Sequence, residues 1–247
     1  IFLDHVNADN NLAYCEKIEA SNPCAEQMLP AYGCCCLASI NLTKLVAEPF
    51  DARAEFDHQS LAELAATAVR MLDNVLTATP WPLEAQKREA NAKRRVGLGF
   101  LGLGDALTML GLRYDTDAAR AFAAKIAREL RDAAYNASVE LAKARGAFPS
   151  FDADAYLAGG FAARLPEDLR AAIRKHGIRN SHLLSIAPTG TISLAFADNA
   201  SNGIEPAFSW TYERKKRVDD GFRSYAVEDH AYRCLLYTSD AADELLG

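Results

Sequence analysis

Residues 22–27 read Asn-Pro-Cys-Ala-Glu-Gln, and this stretch decides how the rest of the chain is interpreted. A thiol, a carboxylate and an amide lie within a few residues of one another. Pro23 fixes its own φ and biases Asn22 toward extended geometry. Side chains two residues apart on an extended segment point the same way. We therefore expect Asn22, Cys24 and Glu26 to converge on one small substrate.

The neighbours of Cys24 indicate what kind of thiol it is. A cysteine beside a base is the arrangement of a nucleophilic thiolate. Here the nearby carboxylate of Glu26 disfavours the thiolate, and no histidine lies close by in the sequence. The pattern favours a neutral thiol that exchanges a hydrogen atom over a protease-like nucleophile. A buried, inert cysteine beside a turn is the alternative.

Three consecutive cysteines occupy residues 34–36, shortly before Ser-Ile-Asn-Leu at 39–42. A zinc site would need paired Cys-x-x-Cys spacing or nearby histidines, and the sequence has neither here, so we expect no metal site. A redox thiol is favoured, with burial of Cys34 and Cys36 as small hydrophobic side chains left open. If the segment is extended, Cys35 points away from both neighbours.

A second candidate site is a small-residue loop that follows the apolar run 181–187, which we predict to be a buried strand. The permissive Gly190 and three hydroxyl groups allow N–H and O–H donors to face one concavity, and a helix starting there would favour a phosphate. A plain Ser/Thr turn is the alternative. The residues concerned are Pro188, Thr189, Gly190, Thr191, Ile192 and Ser193.

Residues 97–102, Gly-Leu-Gly-Phe-Leu-Gly, match the dinucleotide-binding fingerprint Gly-x-Gly-x-x-Gly. That fingerprint requires a buried strand before it and an acidic residue at the end of the next strand. The preceding residues 89–95 instead predict a charged helix, and Asp115 and Asp117 precede a long helix. We expect these glycines to permit close helix packing, and a dinucleotide-binding module is the alternative from another functional class.

The periodicity of apolar residues predicts helices over 58–79, 82–94 and 167–176, and a long helix that starts after Asp115 and ends at Gly146. Residues 1–46 are expected to form loops and short strands, and 203–218 strand and turn. Without repeats or a linker, the chain is expected to form one mixed α/β unit. Residues 234–247 break with what precedes them and are expected to be a non-native tail, and the start without Met indicates a fragment.

The composition is that of a globular protein, with half of the residues hydrophobic and about a quarter charged. A net charge of −6 argues against a nucleic-acid binder, and the basic run 214–217 is expected to be a solvated strand end. No stretch approaches the roughly 20 apolar residues of a membrane span, and no signal peptide is visible. The cysteines are not spaced like the disulfide framework of a secreted protein, and this favours a location in the reducing cytoplasm.

Taken together, these motifs resemble the catalytic subunit of ribonucleotide reductases, most closely the adenosylcobalamin-dependent class II enzymes. The likeness extends from about residue 2 to 232. Its segments are Asn-Pro-Cys-x-Glu-Gln followed by Leu-Pro-x-Tyr-Gly, then Ser-Ile-Asn-Leu, Arg-Arg-Val-Gly-Leu-Gly at 94–99, Ala-Pro-Thr-Gly-Thr-Ile-Ser at 187–193 and Gly-Ile-Glu-Pro at 203–206. The order and spacing of these segments are specific to the family and less specific to the class.

The resemblance implies part of a ten-stranded α/β barrel, residues 1–233, with a finger loop that carries Cys24 as a transient thiyl radical. Glu26 would act as a base toward the substrate 3′-hydroxyl, and Asn22 would hydrogen-bond the sugar. Pro23 and Ala25 would contact the substrate beside them. Cys35 would be one of two redox thiols, and residues 188–193 would bind the substrate phosphates.

The resemblance also implies adenosylcobalamin with its cobalt as radical source, and an external dithiol reductant such as thioredoxin. The substrate would be a ribonucleoside di- or triphosphate, and the full-length protein would pair as a homodimer. A class I subunit, radicalised by a metalloprotein partner, is the alternative. Two departures bear on the site: Ala25 stands where the family usually has Gly, and Cys36 where it has Asp or Asn. The partner thiol of Cys35 is expected outside this chain.

Overall fold

The computed structural model describes residues 1–246, and their side chains as far as residue 238. The helices are α1 (Leu3–Ala8), α2 (His58–Ala78), α3 (Glu84–Lys93), α4 (Leu103–Met109), α5 (Asp117–Arg145), α6 (Ala153–Ala158), α7 (Glu167–His176), α8 (Gly190–Phe196) and α9 (His230–Leu246). The strands are β1 (Ala20–Ser21), β2 (Met28–Leu29), β3 (Cys36–Asn41), β4 (Val46–Ala47), β5 (Glu55–Phe56), β6 (Val96–Leu101), β7 (Thr211–Val218) and β8 (Gly221–Glu228).

The strands pair only two at a time. Within the described residues the sheets are β1 with β2, β3 with β6, β4 with β5, and β7 with β8. The mixed helix and strand content agrees with the expected α/β class, but residues 1–246 form no closed barrel. A barrel built from many strands needs each strand to find two neighbours, and here each has one.

The chain divides into two compact units, each assembled from three separate stretches. Unit 1 contains residues 1–40, 59–99 and 126–187, and unit 2 contains residues 41–58, 100–125 and 188 onward. The sequence shows no linker, and the interleaving explains why: the chain passes between the units several times, twice within helices. A Pro- or Ser-rich connection is therefore not expected at the boundaries.

The four helices predicted from apolar periodicity are confirmed as α2, α3, α5 and α7. In α2 the buried face repeats at helical spacing and is formed by Leu61, Ala65, Val69, Leu72 and Leu76. Leu64 and Val75, which also fit the pattern, are about half exposed. The helix α1 was not expected, because its six residues carry no buried position to reveal a period.

The apolar run 181–187 is extended, as expected, but the prediction of a regular strand is wrong. It joins β6 through a single parallel bridge between Leu184 and Leu98. Around the bridge, Leu98 N–H donates to the Leu183 carbonyl at 2.7 Å, and Ser185 N–H donates to the Leu98 carbonyl at 3.0 Å. The run nevertheless lies beside β6, and residues of both segments contact the site described below.

Unit 2 contains the exposed hairpin of β7 and β8, paired in register from Thr211 with Glu228 to Val218 with Gly221. The basic run 214–217 lies on β7 and is exposed, as predicted for a solvated strand. No helix in the described part of the chain is long and apolar enough to cross a membrane. The predicted non-native tail enters α9, and Gly247 lies outside the described residues.

Candidate active site

The residues 22–27 form the tip of a short hairpin in unit 1. The strands β1 and β2 are antiparallel, pairing Ala20 with Leu29 and Ser21 with Met28. Asn22 N–H donates to the Gln27 carbonyl at 3.0 Å, and the Asn22 side-chain oxygen accepts from Gln27 N–H at 3.0 Å. Cys24 is exposed at the tip.

The expectation that Asn22, Cys24 and Glu26 alternate along an extended segment is wrong. Ala25 N–H donates to the Asn22 carbonyl at 3.0 Å, and Ala25 has a φ of 64°. The chain therefore turns at Cys24, and the three side chains are grouped by a turn rather than by strand alternation. Because the Asn22 oxygen is used inside the turn, its amide nitrogen is the group it can offer to a ligand. The positive φ of Ala25 also accounts for a position where glycine is the usual residue.

The hairpin tip rests on β6 because two glycines of that strand leave room for it. A Cβ on Gly97 would lie 2.7 Å from Nε2 of Gln27 and 2.8 Å from Cβ of Ser185. A Cβ on Gly99 would lie 2.1 Å from the Ser185 carbonyl oxygen. The Ser185 hydroxyl in turn donates to the Glu26 carbonyl at 2.9 Å. The expectation that these glycines serve helix packing is wrong, since they admit backbone and side chains beside a strand.

The same geometry speaks against the dinucleotide-binding alternative. In that fingerprint the first glycines form the turn after a strand, where backbone must approach the pyrophosphate. Gly97 and Gly99 lie inside β6, and only Gly102, with a φ of 77°, stands at the start of α4. The space that the first two glycines leave is filled by unit 1 itself.

Cys35 lies immediately before β3 and is the most enclosed of the three consecutive thiols. Burial strongly raises the pKa of Cys35; the guanidinium of Arg95 opposes this rise, and the Glu26 carboxylate adds to it. Burial also raises the pKa of Cys34 to about 11 and raises that of Cys36. All three groups are therefore thiols at neutral pH. The action of Glu26 on Cys35 shows that the hairpin tip and this thiol belong to one region of unit 1.

A cavity of about 300 Å³ lies behind the hairpin tip. Its wall includes Glu26, and the Oε2 atom of this carboxylate is buried without a hydrogen-bond partner among the described residues. An unpaired buried carboxylate oxygen is costly, so such a group is found where a ligand or a proton is to be accepted. The remaining lining residues are Val6, Asp9, Asn10, Ile18, Gln27, Met28, Arg95, His182 and Leu184.

Two residues of this cavity were not singled out from the sequence. Burial and the nearby Arg95 guanidinium lower the pKa of His182 to about 3, so its imidazole is neutral at physiological pH. Its ring nitrogens lie 3.0 Å from the Ser181 hydroxyl and 3.2 Å from Oδ1 of Asn10. A scattered histidine carries no signal in the sequence. Arg95 lies in Arg-Arg-Val-Gly-Leu-Gly, a motif noted without a role for its side chain.

The segment 188–193 belongs to unit 2: Pro188 and Thr189 precede α8, and residues 190–193 form its first turn, as expected for a loop that opens a helix. Thr189 is the N-cap residue, with a φ of 61°, and its hydroxyl accepts from Gly203 N–H at 3.0 Å. The Ser193 hydroxyl is buried and donates to the Ala200 carbonyl. These two hydroxyls hold the loop together, whereas Thr191 and Ile192 are exposed.

The role expected for Gly190 needs correction. The conformational freedom of glycine is not used here, because the left-handed residue is Thr189 and Gly190 is not among the glycines with positive φ. A Cβ at Gly190 would meet no atom within 4 Å. This glycine is therefore required neither by backbone conformation nor by packing in unit 2, and it leaves the start of α8 open to solvent.

Comparison with known proteins places these features in a family. The model described as "Ribonucleotide reductase, barrel domain" matches residues 1–242. The vitamin B12-dependent ribonucleoside-diphosphate reductase of Mycobacterium tuberculosis (strain CDC 1551 / Oshkosh) is 39% identical over 214 residues, 87% of this chain and 28% of that protein. The enzyme of the same name from Thermoplasma acidophilum is 36% identical over 216 residues, again 87% of this chain and 25% of that protein.

A more distant relative is the ribonucleoside-diphosphate reductase large chain of Encephalitozoon cuniculi, 31% identical over 233 residues, which are 89% of this chain and 29% of that protein. The chain thus spans between a quarter and a third of the length of these relatives. The resemblance drawn from residues 22–27 and 188–193 is confirmed, because the family model covers residues 1–242. The chain belongs to the ribonucleotide reductase barrel-domain family.

Proposed function

We propose that the protein carrying this chain reduces ribonucleotides to 2′-deoxyribonucleotides by a thiyl-radical mechanism that depends on adenosylcobalamin. The observation that carries the proposal is the grouping of the exposed Cys24 thiol, the unpaired carboxylate of Glu26 and the protonated thiol of Cys35 in one region of unit 1. Three such groups fit a reaction that needs a hydrogen-atom acceptor, a base and a reductant.

Each residue of the hairpin tip has a role in that reaction. Cys24, as a thiyl radical, takes the hydrogen atom from C3′ of the ribose and becomes a thiol. Glu26 accepts the proton of the 3′-hydroxyl, which is general-base catalysis by a positioned carboxylate. Asn22 donates from its amide nitrogen to the sugar oxygen, and Pro23 and Ala25 shape the turn beside the substrate. Cys24 finally returns its hydrogen atom to C3′, and Glu26 returns its proton to the 3′-oxygen.

Cys35 supplies reducing equivalents together with a second thiol from outside this chain. The C2′–O bond breaks and the hydroxyl leaves as water, while the two thiols give up two electrons and two protons and form a disulfide. A buried thiol with a raised pKa is protonated at neutral pH and can deliver that proton. An external dithiol such as thioredoxin then reduces the disulfide for the next turnover.

The loop 188–193 is proposed to hold the substrate phosphates. Support comes from the motif itself and from the open space at Gly190, where backbone can approach a ligand. Thr191 and Ile192 are exposed beside it. Because the hydroxyls of Thr189 and Ser193 are occupied within unit 2, these two residues contribute through the backbone of the loop and by fixing its shape.

The radical source is proposed to be adenosylcobalamin, which supplies, when bound, the initiating radical through its cobalt–carbon bond. The exposed position of Cys24 fits a thiol that such a group must reach. Relatives named for vitamin B12 dependence favour this class over the class I alternative with a metalloprotein partner. We further infer a ten-stranded barrel in the whole protein, a cytoplasmic location, a homodimer and no nucleic-acid or membrane partner.

The test is ribonucleotide reduction by the full-length protein with adenosylcobalamin and a dithiol as the only additions. Cys24→Ser should abolish turnover while leaving nucleotide binding intact, because a serine O–H bond is too strong to serve as the hydrogen-atom donor. Cys15→Ser is the matched control, since Cys15 is also an exposed free thiol of unit 1. Substantial reduction by the Cys24 variant would contradict the assignment, and a strict need for a second metalloprotein would overturn the class.

A further inference from the structure

Arg95 links the hairpin of β1 and β2, called the catalytic hairpin below, to the rest of unit 1. It lies directly before β6, and its side chain is 5% exposed. One terminal nitrogen of the guanidinium donates to the Met28 carbonyl at 2.8 Å, and the other donates to Oε1 of Glu16 at 2.6 Å. Met28 belongs to β2, the strand that leaves the hairpin tip.

The hairpin needs such an anchor because its own ladder is very short. Only two residue pairs join β1 and β2, and an isolated two-stranded hairpin is marginally stable even when longer. The contacts that hold the tip come from β6 and its neighbours. The side chain of Gln27 packs against Gly97. The Ser185 hydroxyl donates to the Glu26 carbonyl, and the Arg95 guanidinium donates to the Met28 carbonyl. Among these, the contact of Arg95 is the charged one.

The same guanidinium faces the redox region. Around it lie the Glu16 carboxylate, 1% exposed and also paired with Lys93 at 2.8 Å, and the neutral imidazole of His182. Lys93 is paired in addition with Glu89 at 2.5 Å. The positive charge of Arg95 opposes the rise in the pKa of Cys35 that burial causes.

We propose that Arg95 is a positioning residue for the reductase reaction, holding β2 of the catalytic hairpin in place through Met28 while keeping a positive charge beside Cys35. The proposal rests on the function proposed above. Arginine is required because two separate acceptors are bonded by two nitrogens of one planar fork, which a single lysine ammonium cannot reproduce.

Two variants of the full-length protein separate these contributions. Arg95→Lys keeps the charge and loses one of the two hydrogen bonds, whereas Arg95→Gln loses the charge. We expect Arg95→Lys to lower kcat about tenfold or more with KM changed less than about twofold, since displacement of a reacting group by about 1 Å can cost 10²-fold. Arg95→Gln should in addition slow the alkylation of Cys35 at a fixed pH, because loss of a nearby positive charge disfavours the thiolate.

Hydrogen exchange of the peptide spanning residues 19–29 provides a readout that does not depend on turnover. Both variants should exchange faster there than the wild type, while a peptide from α7 stays unchanged. Exchange and alkylation unchanged in both variants would overturn the proposal, as would a loss of activity that only parallels a general loss of stability. If the wild type does not reduce ribonucleotides but both readouts shift as expected, the proposed reaction fails while the anchoring by Arg95 stands.

Discussion

Replacing Gly99 by alanine tests whether β6 supports the hairpin of β1 and β2. The new Cβ would lie 2.1 Å from the carbonyl oxygen of Ser185 and 3.1 Å from its carbonyl carbon. Both are backbone atoms, so no side-chain rotation can relieve the clash. The segment around Ser185 must therefore move away from β6 by about 1 Å to reach an ordinary contact distance.

The cost of Gly99→Ala follows from what that movement disrupts. Overpacking of a close contact costs about 1–3 kcal/mol. The hydrogen bonds from Leu98 to the Leu183 carbonyl and from Ser185 to the Leu98 carbonyl flank the same point, and each contributes about 1 kcal/mol. A total of about 3–5 kcal/mol is expected, which lowers Tm by about 10 °C in a unit of this size.

The measurement is thermal unfolding of the full-length variant, together with hydrogen exchange of the peptide spanning residues 96–101. Gly190→Ala is the matched control for stability, because a Cβ there meets no atom within 4 Å and the backbone needs no positive φ. It should melt within about 2 °C of the wild type, given that such glycine-to-alanine changes alter stability by less than about 1 kcal/mol. Equal melting of the Gly99 and Gly190 variants would refute the role of Gly99 as a close-approach position.

Three further predictions concern the thiols, the loop and a buried carboxyl group. Cys35→Ala should block multiple turnovers of the full-length protein with a dithiol reductant, whereas Cys34→Ala and Cys36→Ala should retain most of them; a redox disulfide mapped to Cys34 or Cys36 would contradict this. Gly190→Val should raise the KM for nucleotide strongly while the melting temperature without nucleotide stays near that of the wild type, and a loss of stability without loss of affinity would indicate a purely structural turn. Burial raises the pKa of Asp105 to about 7, so this carboxyl stays protonated in the folded state while it ionises in the unfolded state. Its contribution to stability is therefore fully present below about pH 4 and is lost as pH rises to about 7, and Asp105→Asn should flatten that part of the urea-unfolding profile; an unchanged slope would exclude Asp105 as its source.

Helices were the part of the fold that the sequence could predict, because their signal is local and repeated. The buried positions of α2 recur every three or four residues, and α7 ends at Gly177 as its composition indicates. The run 181–187 shows the limit of the same reasoning. Its apolar residues indicate burial, but whether it forms a regular ladder depends on a partner far away in the chain.

The chemistry of residues 22–27 could be predicted from residue type, whereas their geometry could not be obtained from strand alternation. The Asn-Pro pair is itself a turn signal, and it could have indicated the hairpin tip that the structure shows. The positions of Gly97 and Arg95 relative to this tip depend on tertiary structure, which the local sequence does not reveal. A glycine pattern alone does not tell whether the freed space admits a phosphate, a helix or, as here, the side chain of Gln27.

The redox thiol is identified by residue type and by tertiary surroundings together. In the sequence, the family resemblance points to Cys35, and strand alternation predicts that it faces away from its two neighbours. In the structure β3 begins at Cys36, so Cys35 precedes the strand and alternation does not apply to it. What distinguishes Cys35 is its surroundings: it is the most enclosed thiol of the three, and it is the one whose pKa the Glu26 carboxylate raises. A thiol that must give up its proton and electrons beside the base of the reaction needs that proximity, and this argues for Cys35 independently of register.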